Sequence, residues 1–267
     1  MKIGFIGLGN MAKAMLGGIL RMKIAEPADI MAYAKTEVSR QKAKEDFGIL
    51  IGASNEEVAE FADILVLAIK PQVIPSVLPG LSEQMTEDTI VLSIAAGLSM
   101  EKLCALLGKK VKLVRCMPNT PAMVGEGCSA ACKNELVSDS DMEMCMKVLT
   151  SLGMAEEIPE TMMDAIVGLS GSSPAYVFMF IEALADGAVK EGIPRALAYK
   201  FAAQSVLGSA KLMLQSGKHP GELKDMVCSP GGTTIEAVQT LEDLGLRSAV
   251  MNAVSAATEK SRELDKK

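Results

Sequence analysis

Apolar positions fall into two regimes along this chain. Up to about residue 158 they come as short runs separated by polar, helix-forming stretches, and from about Met162 to Leu264 they recur at helical spacing with no convincing strand. In the first regime residues 3–7 read as a short buried strand and 11–20 as an apolar helix. Residues 30–34 predict a second strand, 37–47 a polar helix, 49–53 a short strand and 55–61 a short helix. Residues 64–69 (ILVLAI), 89–95 (TIVLSIA) and 111–116 are almost unbroken apolar runs, the pattern of parallel strands covered on both faces. Strands alternating with helices predict βαβ units. The expected fold class is therefore α/β, with an N-terminal Rossmann-type parallel sheet domain over residues 1–158 and an all-α domain over residues 159–267.

In the second regime residues 175–190 are apolar around most of the helix, which predicts burial in a core or in a subunit interface. Pro194 starts a helix over 195–214, and Gly217 suits its C-terminal stop. Residues 220–226 predict a short helix. Ser229-Pro230-Gly231-Gly232-Thr233-Thr234 opens a helix running to Leu244, and 247–264 forms the last.

The predicted first strand runs into Gly7, Gly9 and Ala12, spaced G-x-G-x-x-A, and then into the predicted helix. Strand, glycine turn and helix together are the context that makes this spacing a dinucleotide signal. Gly7 suits the tight turn, Gly9 lets backbone approach a pyrophosphate, and Ala12 permits close helix–strand packing. Ligands of such sheets lie at the carboxyl ends of the strands. The loops at Ala68-Ile69-Lys70-Pro71, Ala95-Ala96-Gly97 and Met117-Pro118-Asn119-Thr120-Pro121 are therefore candidates to face a cofactor. NAD-binding forms carry Asp or Glu at the end of the second strand. Here that place is Ala34-Lys35-Thr36, without an acid, and Lys35 and Thr36 favour the 2′-phosphate of NADP. Lys35 and Arg40 also fit a solvated helix face.

Composition narrows the chemistry. The chain has 267 residues, 49% hydrophobic and 22% charged, enough for a sizeable core. The net charge of −6, with no basic run, argues against a nucleic-acid partner. Lys, Glu or Gly interrupts each apolar stretch before membrane-span length, and the N-terminus lacks a signal-peptide layout, so a cytoplasmic chain is expected. Six cysteines form no C-x-x-C and His219 is the single histidine, so no metal site is expected. Cys128 and Cys132 fall on one face of an expected strand. The 19 methionines read as core filler. In the helical half, successive N–H groups of Gly232, Thr233 and Thr234 at a helix start make an anion site for a carboxylate, and the Thr234 hydroxyl adds a donor. A capped helix with a glycine-rich lead-in fits the same residues. Ser170-Gly171-Ser172-Ser173-Pro174-Ala175 opens the apolar helix and either lines the same cleft or forms a turn with an N-cap. His219, before Pro-Gly, reads better as a helix-start residue than as an acid. The residues alone thus reach a reductase of a small anionic substrate, dependent on NADP.

At G-F-I-G-L-G-N-M-A, L-A-I-K-P-Q, I-A-A-G, R-C-M-P-N-T-P, G-L-S-G-S-S-P-A-Y and D-M-V-C-S-P-G-G-T-T-I the chain resembles the pyrroline-5-carboxylate reductase family over nearly its whole length. The resemblance implies reduction of Δ1-pyrroline-5-carboxylate to L-proline with NADPH, or NADH as the alternative, as the last step of proline biosynthesis. It implies a Rossmann domain and a helical domain that interlocks in a homodimer, assembled into a decamer in some members. It places the nucleotide at Ile6, Gly7, Leu8, Gly9, Asn10, Met11, Ala34, Thr36, Asn55, Ala68, Ile69, Lys70, Pro71, Ile94, Ala95 and Ala96, to which Lys35 is added from the reading of the second strand's end. The substrate carboxylate is placed at the amides of Thr233 and Thr234 beside Gly232, and Thr234 becomes the candidate catalytic donor to the ring nitrogen. Several members have Ala in place of Thr233 and Gly in place of Ser173, changes that keep the backbone N–H.

Two rivals make different demands. A β-hydroxyacid dehydrogenase would need a lysine on the helix over 175–189, which has none. A non-enzymatic NADP sensor would have no use for the anion-binding S-P-G-G-T-T.

Overall fold

The computed structural model describes residues Met1–Asp265. The chain folds as two compact units, one of residues 1–172 together with the segment from Ser255 on, the other of Ser173–Val254.

The first unit is built on eight strands: β1 (Ile3–Ile6), β2 (Ile30–Tyr33), β3 (Leu50–Ile51), β4 (Ile64–Leu67), β5 (Ile90–Ser93), β6 (Lys112–Met117), β7 (Gly127–Lys133) and β8 (Gly153–Glu157). Their order across the sheet is β3-β2-β1-β4-β5-β6-β7-β8. The first six are parallel, in the arrangement of a dinucleotide-binding Rossmann sheet whose order reverses between β1 and β4. β7 returns antiparallel to β6, and β8 lies parallel to β7.

The apolar runs are split by the two-residue period of a strand. Ile3, Phe5, Ile64, Val66, Ile90 and Leu92 share one core with Ala12, Met15, Leu16 and Ile19 of α1 (Asn10–Arg21), Ala43 of α2 (Glu37–Phe47), and Met142, Cys145, Val148 and Leu149 of α6 (Asp139–Thr150). Ile6, Leu65, Leu67, Val91 and Leu113 face the other core, with Val58 and Ala59 of α3 (Asn55–Phe61), Ile74 of α4 (Ile74–Val77), and Leu103 and Leu107 of α5 (Met100–Leu107). Every residue of β1, β4 and β5 is buried. This is why those strands read as continuous apolar runs. The thiols of Cys116 and Cys145 are buried in the first of these cores, and that of Cys132 in a small cluster with Ala130 and Met163. Burial pushes Cys132 and Cys145 up to about 12, and Cys116 higher still.

Helices also follow local signals. α2 and α3 span the predicted residues, and Ser54 caps α3 by accepting from Glu57 N. Ser138 and Asp141 form a capping box at α6. After α7 (Met163–Ile166) the chain runs through a π-helical turn, Val167–Gly171, instead of the turn with an N-cap that was one of the two readings of residues 170–175.

The second unit is helical: α8 (Ser173–Lys190), α9 (Arg195–Ser216), α10 (Pro220–Val227), α11 (Thr233–Asp243) and the first part of α12 (Leu246–Asp265). Gly217 ends α9 at φ 63°. The apolar faces of this unit are largely uncovered in the single chain. In α8 only Ala185 is buried, while Phe178 is 65% and Met179 68% exposed. An 18-residue stretch within Glu160–Lys190 reaches a mean hydropathy of 1.3, long and apolar enough by composition to cross a membrane. Between Asp164 and Glu182 no charged residue interrupts it; the expected interruption rests there on Gly168 and Gly171 alone.

Candidate active site

The sheet register brings the predicted nucleotide residues to one edge. Ile6 pairs level with Tyr33 and with Leu67, and Leu67 with Ser93. Four parallel strands therefore end together. The loops bearing Gly7 to Asn10, Ala34 to Thr36, Ala68 to Pro71 and Ile94 to Ala96 emerge side by side at their carboxyl ends. Asn55 begins α3, the helix that follows β3.

The two glycines of the first loop are glycine for different reasons. Gly7 has φ +100°, and a Cβ there would lie 2.5 Å from the Ala68 carbonyl oxygen. Its N–H donates to the Tyr33 carbonyl at 2.8 Å, closing the turn over the strand ends. Gly9 caps α1 with ordinary φ (−73°), and a Cβ on it would meet nothing within 4 Å. Packing does not require glycine there, and the bare backbone leaves open space beside it. No side chain caps α1, no acid stands in its first turn, and its first intrahelical bond runs from Lys13 N to Gly9 O. The amides before Lys13 and the positive end of the helix dipole are left for an anion. No carboxylate ends β2. These features fit a dinucleotide with a pyrophosphate at α1.

Arg40, in the first turn of α2, reaches back to the loop that follows β2. Its Nη1 donates to the carbonyls of Ala34 (2.7 Å) and Lys35 (3.4 Å), its Nη2 pairs with Glu37, and its guanidinium stands 5.3 Å from the centre of the Tyr33 ring. Lys35 is exposed, and Thr36 Oγ1 donates to Ser39 Oγ at 2.8 Å.

The R-C-M-P-N-T-P segment has an internal role that its motif does not announce. Arg115, buried in β6, donates to Glu160 Oε1 at 3.0 Å, and the same oxygen accepts from Met100 N at the start of α5 (2.8 Å). Asn119 accepts from Cys128 N (2.8 Å) and donates to the Ser170 carbonyl (3.0 Å), tying the loop after β6 to the π-helical turn. Neither link could be read from the sequence, since each joins residues 45 or more apart.

In the second unit Gly232 caps α11 without a side-chain bond, following Gly231 at φ +65°. The amides of Thr233 and Thr234 head the helix, and Thr234 is half-buried. His219 is spent locally: its Nδ1 accepts from Gly221 N at 3.1 Å and caps α10, as its place before Pro-Gly suggests. Among the described residues no group of three His, Cys, Asp or Glu side chains is placed to hold a metal.

A parallel dinucleotide sheet followed by a helical unit with an open helix N-terminus defines the class, a two-part nicotinamide-dependent oxidoreductase. Residues 2–97 match the family described as NADP oxidoreductase, coenzyme F420-dependent, and residues 160–264 the family described as pyrroline-5-carboxylate reductase dimerisation. The pyrroline-5-carboxylate reductase of Escherichia coli (strain K12) is 49% identical over 265 residues, 99% of this chain and 98% of its own. That of Methanosarcina acetivorans is 44% identical over 266 residues, 100% of this chain and 98% of its own. The crystal structure of the Plasmodium falciparum enzyme with NADP bound superposes with a TM-score of 0.90 at 36% identity, over 99% of this chain and 98% of that one. The chain belongs to the pyrroline-5-carboxylate reductase family.

Proposed function

We propose that the chain reduces Δ1-pyrroline-5-carboxylate to L-proline, the last step of proline biosynthesis, preferring NADPH and using Thr234 as the donor to the ring nitrogen. The observation that carries the reading is the open N-terminus of α11, in a chain whose relatives are named for this reaction over their full length. The amides of Thr233 and Thr234, beside Gly232, hold the carboxylate of the substrate at the positive end of the helix. The Thr234 hydroxyl donates to the imine nitrogen. A protonated imine is already a hydride acceptor, so positioning and one donor suffice and no strong acid is needed. The nucleotide, when bound, supplies the hydride. The chain's own part is to seat it through Ile6 to Met11 with Ala34, Lys35, Thr36, Asn55, Ala68 to Pro71 and Ile94 to Ala96.

The domains we assign are a Rossmann domain, 1–158, and a helical dimerisation and substrate domain, 159–267. A cytoplasmic homodimer is the state expected, with a decamer, five such dimers, as the larger alternative. Oxidation of NADPH by purified protein, with and without pyrroline-5-carboxylate, tests the function directly. An oxidation rate indifferent to the substrate overturns it.

The two glycines give opposite expected outcomes. Gly7→Ala puts a side chain at positive φ against the Ala68 carbonyl and should cost about 1–3 kcal/mol of stability, read as a lowered Tm. Gly9→Ala should leave Tm unchanged and raise the KM for NADPH about tenfold or more, by filling space reserved for pyrophosphate. A Tm loss in Gly9→Ala would show that glycine serves packing there. Ala34→Asp should move preference toward NADH, since a carboxylate there repels a 2′-phosphate and holds a 2′-hydroxyl. The ratio of kcat/KM for the two nucleotides is the measurement. A wild type with the lower KM for NADH overturns the preference assigned from 34–36.

A further inference from the structure

NADPH and NADH differ only at the 2′ position, and we propose that Arg40 is the residue that reads the 2′-phosphate, with Glu37 as the counter-ion it releases on binding. This rests on the NADPH preference argued above. The loop after β2 offers three polar candidates. Lys35 points its charge into solvent from a flexible stem, and Thr36 has its hydroxyl engaged with Ser39. Arg40 alone is anchored. Its guanidinium is fixed by the Ala34 and Lys35 carbonyls and lies against Tyr33, and its side chain is 20% exposed. Tyr33 pairs level with Ile6, so this charge stands one strand from the glycine turn, at the carboxyl end of β2. Rossmann folds bring the adenosine ribose to that place.

The chemistry suits a phosphate. A guanidinium presents five N–H donors in a planar fork that matches phosphate oxygens, and the anchored geometry removes most of the ordering cost. Pairing with Ala34, Lys35 and Glu37 leaves donors unused. The Glu37 side chain is 74% exposed, and an ion pair with so solvated a partner contributes little, so a dianion displaces it readily. While Glu37 faces Arg40, its carboxylate is not offered to a ribose hydroxyl.

Calorimetric binding of 2′,5′-ADP and 5′-AMP to the full-length protein isolates the 2′-phosphate from hydride chemistry. Wild type should bind 2′,5′-ADP more tightly than 5′-AMP. Arg40→Gln should weaken 2′,5′-ADP about 10- to 100-fold, the range of a charge-assisted hydrogen bond, and leave 5′-AMP within about twofold, which also verifies the fold. Glu37→Gln should tighten 2′,5′-ADP by about threefold. Equal loss of both ligands in Arg40→Gln would make Arg40 a support of the loop and overturn the proposal. Retention of 2′,5′-ADP in Arg40→Gln with loss in Lys35→Gln would transfer the role to Lys35 and leave the NADPH preference standing. A wild type indifferent to the 2′-phosphate would overturn the preference and the Arg40 assignment together. Weaker 2′,5′-ADP binding in Glu37→Gln would overturn the counter-ion role.

Discussion

Thr234→Ala is expected to lower kcat and kcat/KM together while the KM for pyrroline-5-carboxylate changes little. The substitution deletes one hydroxyl and leaves the backbone N–H groups of residues 233 and 234 at the head of α11. The carboxylate therefore keeps its site, and the lost hydrogen bond is one made mainly in the transition state. A single such donor is worth about 2–4 kcal/mol in oxyanion sites, an upper guide here because the imine nitrogen carries only part of the charge. Thr233→Ala should be mild, since the amide is what binds. His219→Ala should also be mild for catalysis, because Nδ1 is engaged in capping α10. Steady-state kinetics of the three variants at one pH settles the assignment. Near-normal turnover in Thr234→Ala with collapse in His219→Ala would move the proton donor to His219.

Sedimentation at micromolar concentration should show no stable monomer. The second unit leaves Phe178, Met179, Phe201, Leu214 and Leu244 between 65% and 80% exposed, more apolar surface than a lone helical layer keeps in water. Obligate interfaces resemble a core cut in half, and the match of residues 160–264 to a dimerisation family makes a second copy of this chain the natural cover. Met179→Glu should weaken association by about 3 kcal/mol or more, because a carboxylate tolerated at 68% exposure becomes a buried, unpaired charge on assembly. A folded, active wild-type monomer would overturn the interface reading.

How much of this was legible in the sequence follows from which side chains are satisfied locally. The buried strands declared themselves because both faces of ILVL and IVLS are covered, so no polar residue interrupts them. Predicted runs extended past the observed strands at Ala68-Ile69 and at Ile94-Ala95. Apolar character continues there, but the ladder stops where the loops turn toward the ligand edge. β8 (GMAEE) gave no strand signal, being an edge strand whose Glu156 and Glu157, on opposite faces, are both exposed. Gly7 and Gly9 were both legible as glycine. Only the structure separates the one required by the Ala68 carbonyl from the one with empty space beside it. α8 was read as buried in a core or in an interface; its exposure in the single chain argues against the first, and the match to a dimerisation family supports the second. Arg40 was ambiguous because an arginine on a polar helix pattern is usually solvated, and its anchors are backbone carbonyls, which no side-chain pattern reveals.

The buried cysteines give this sheet a clock. At pH 8 a thiol held near 12 is almost wholly protonated, and alkylating reagents attack the thiolate, so Cys132 and Cys145 react only when the fold around them opens. Cys104, Cys128 and Cys228 are only partly covered and take reagent first. The slow phase of labelling then measures how often the packing around β6, β7 and α6 opens in the native protein, a local opening free energy read without denaturant. Ligands that bind only the closed sheet should slow that phase in proportion to their occupancy, whether or not they are turned over.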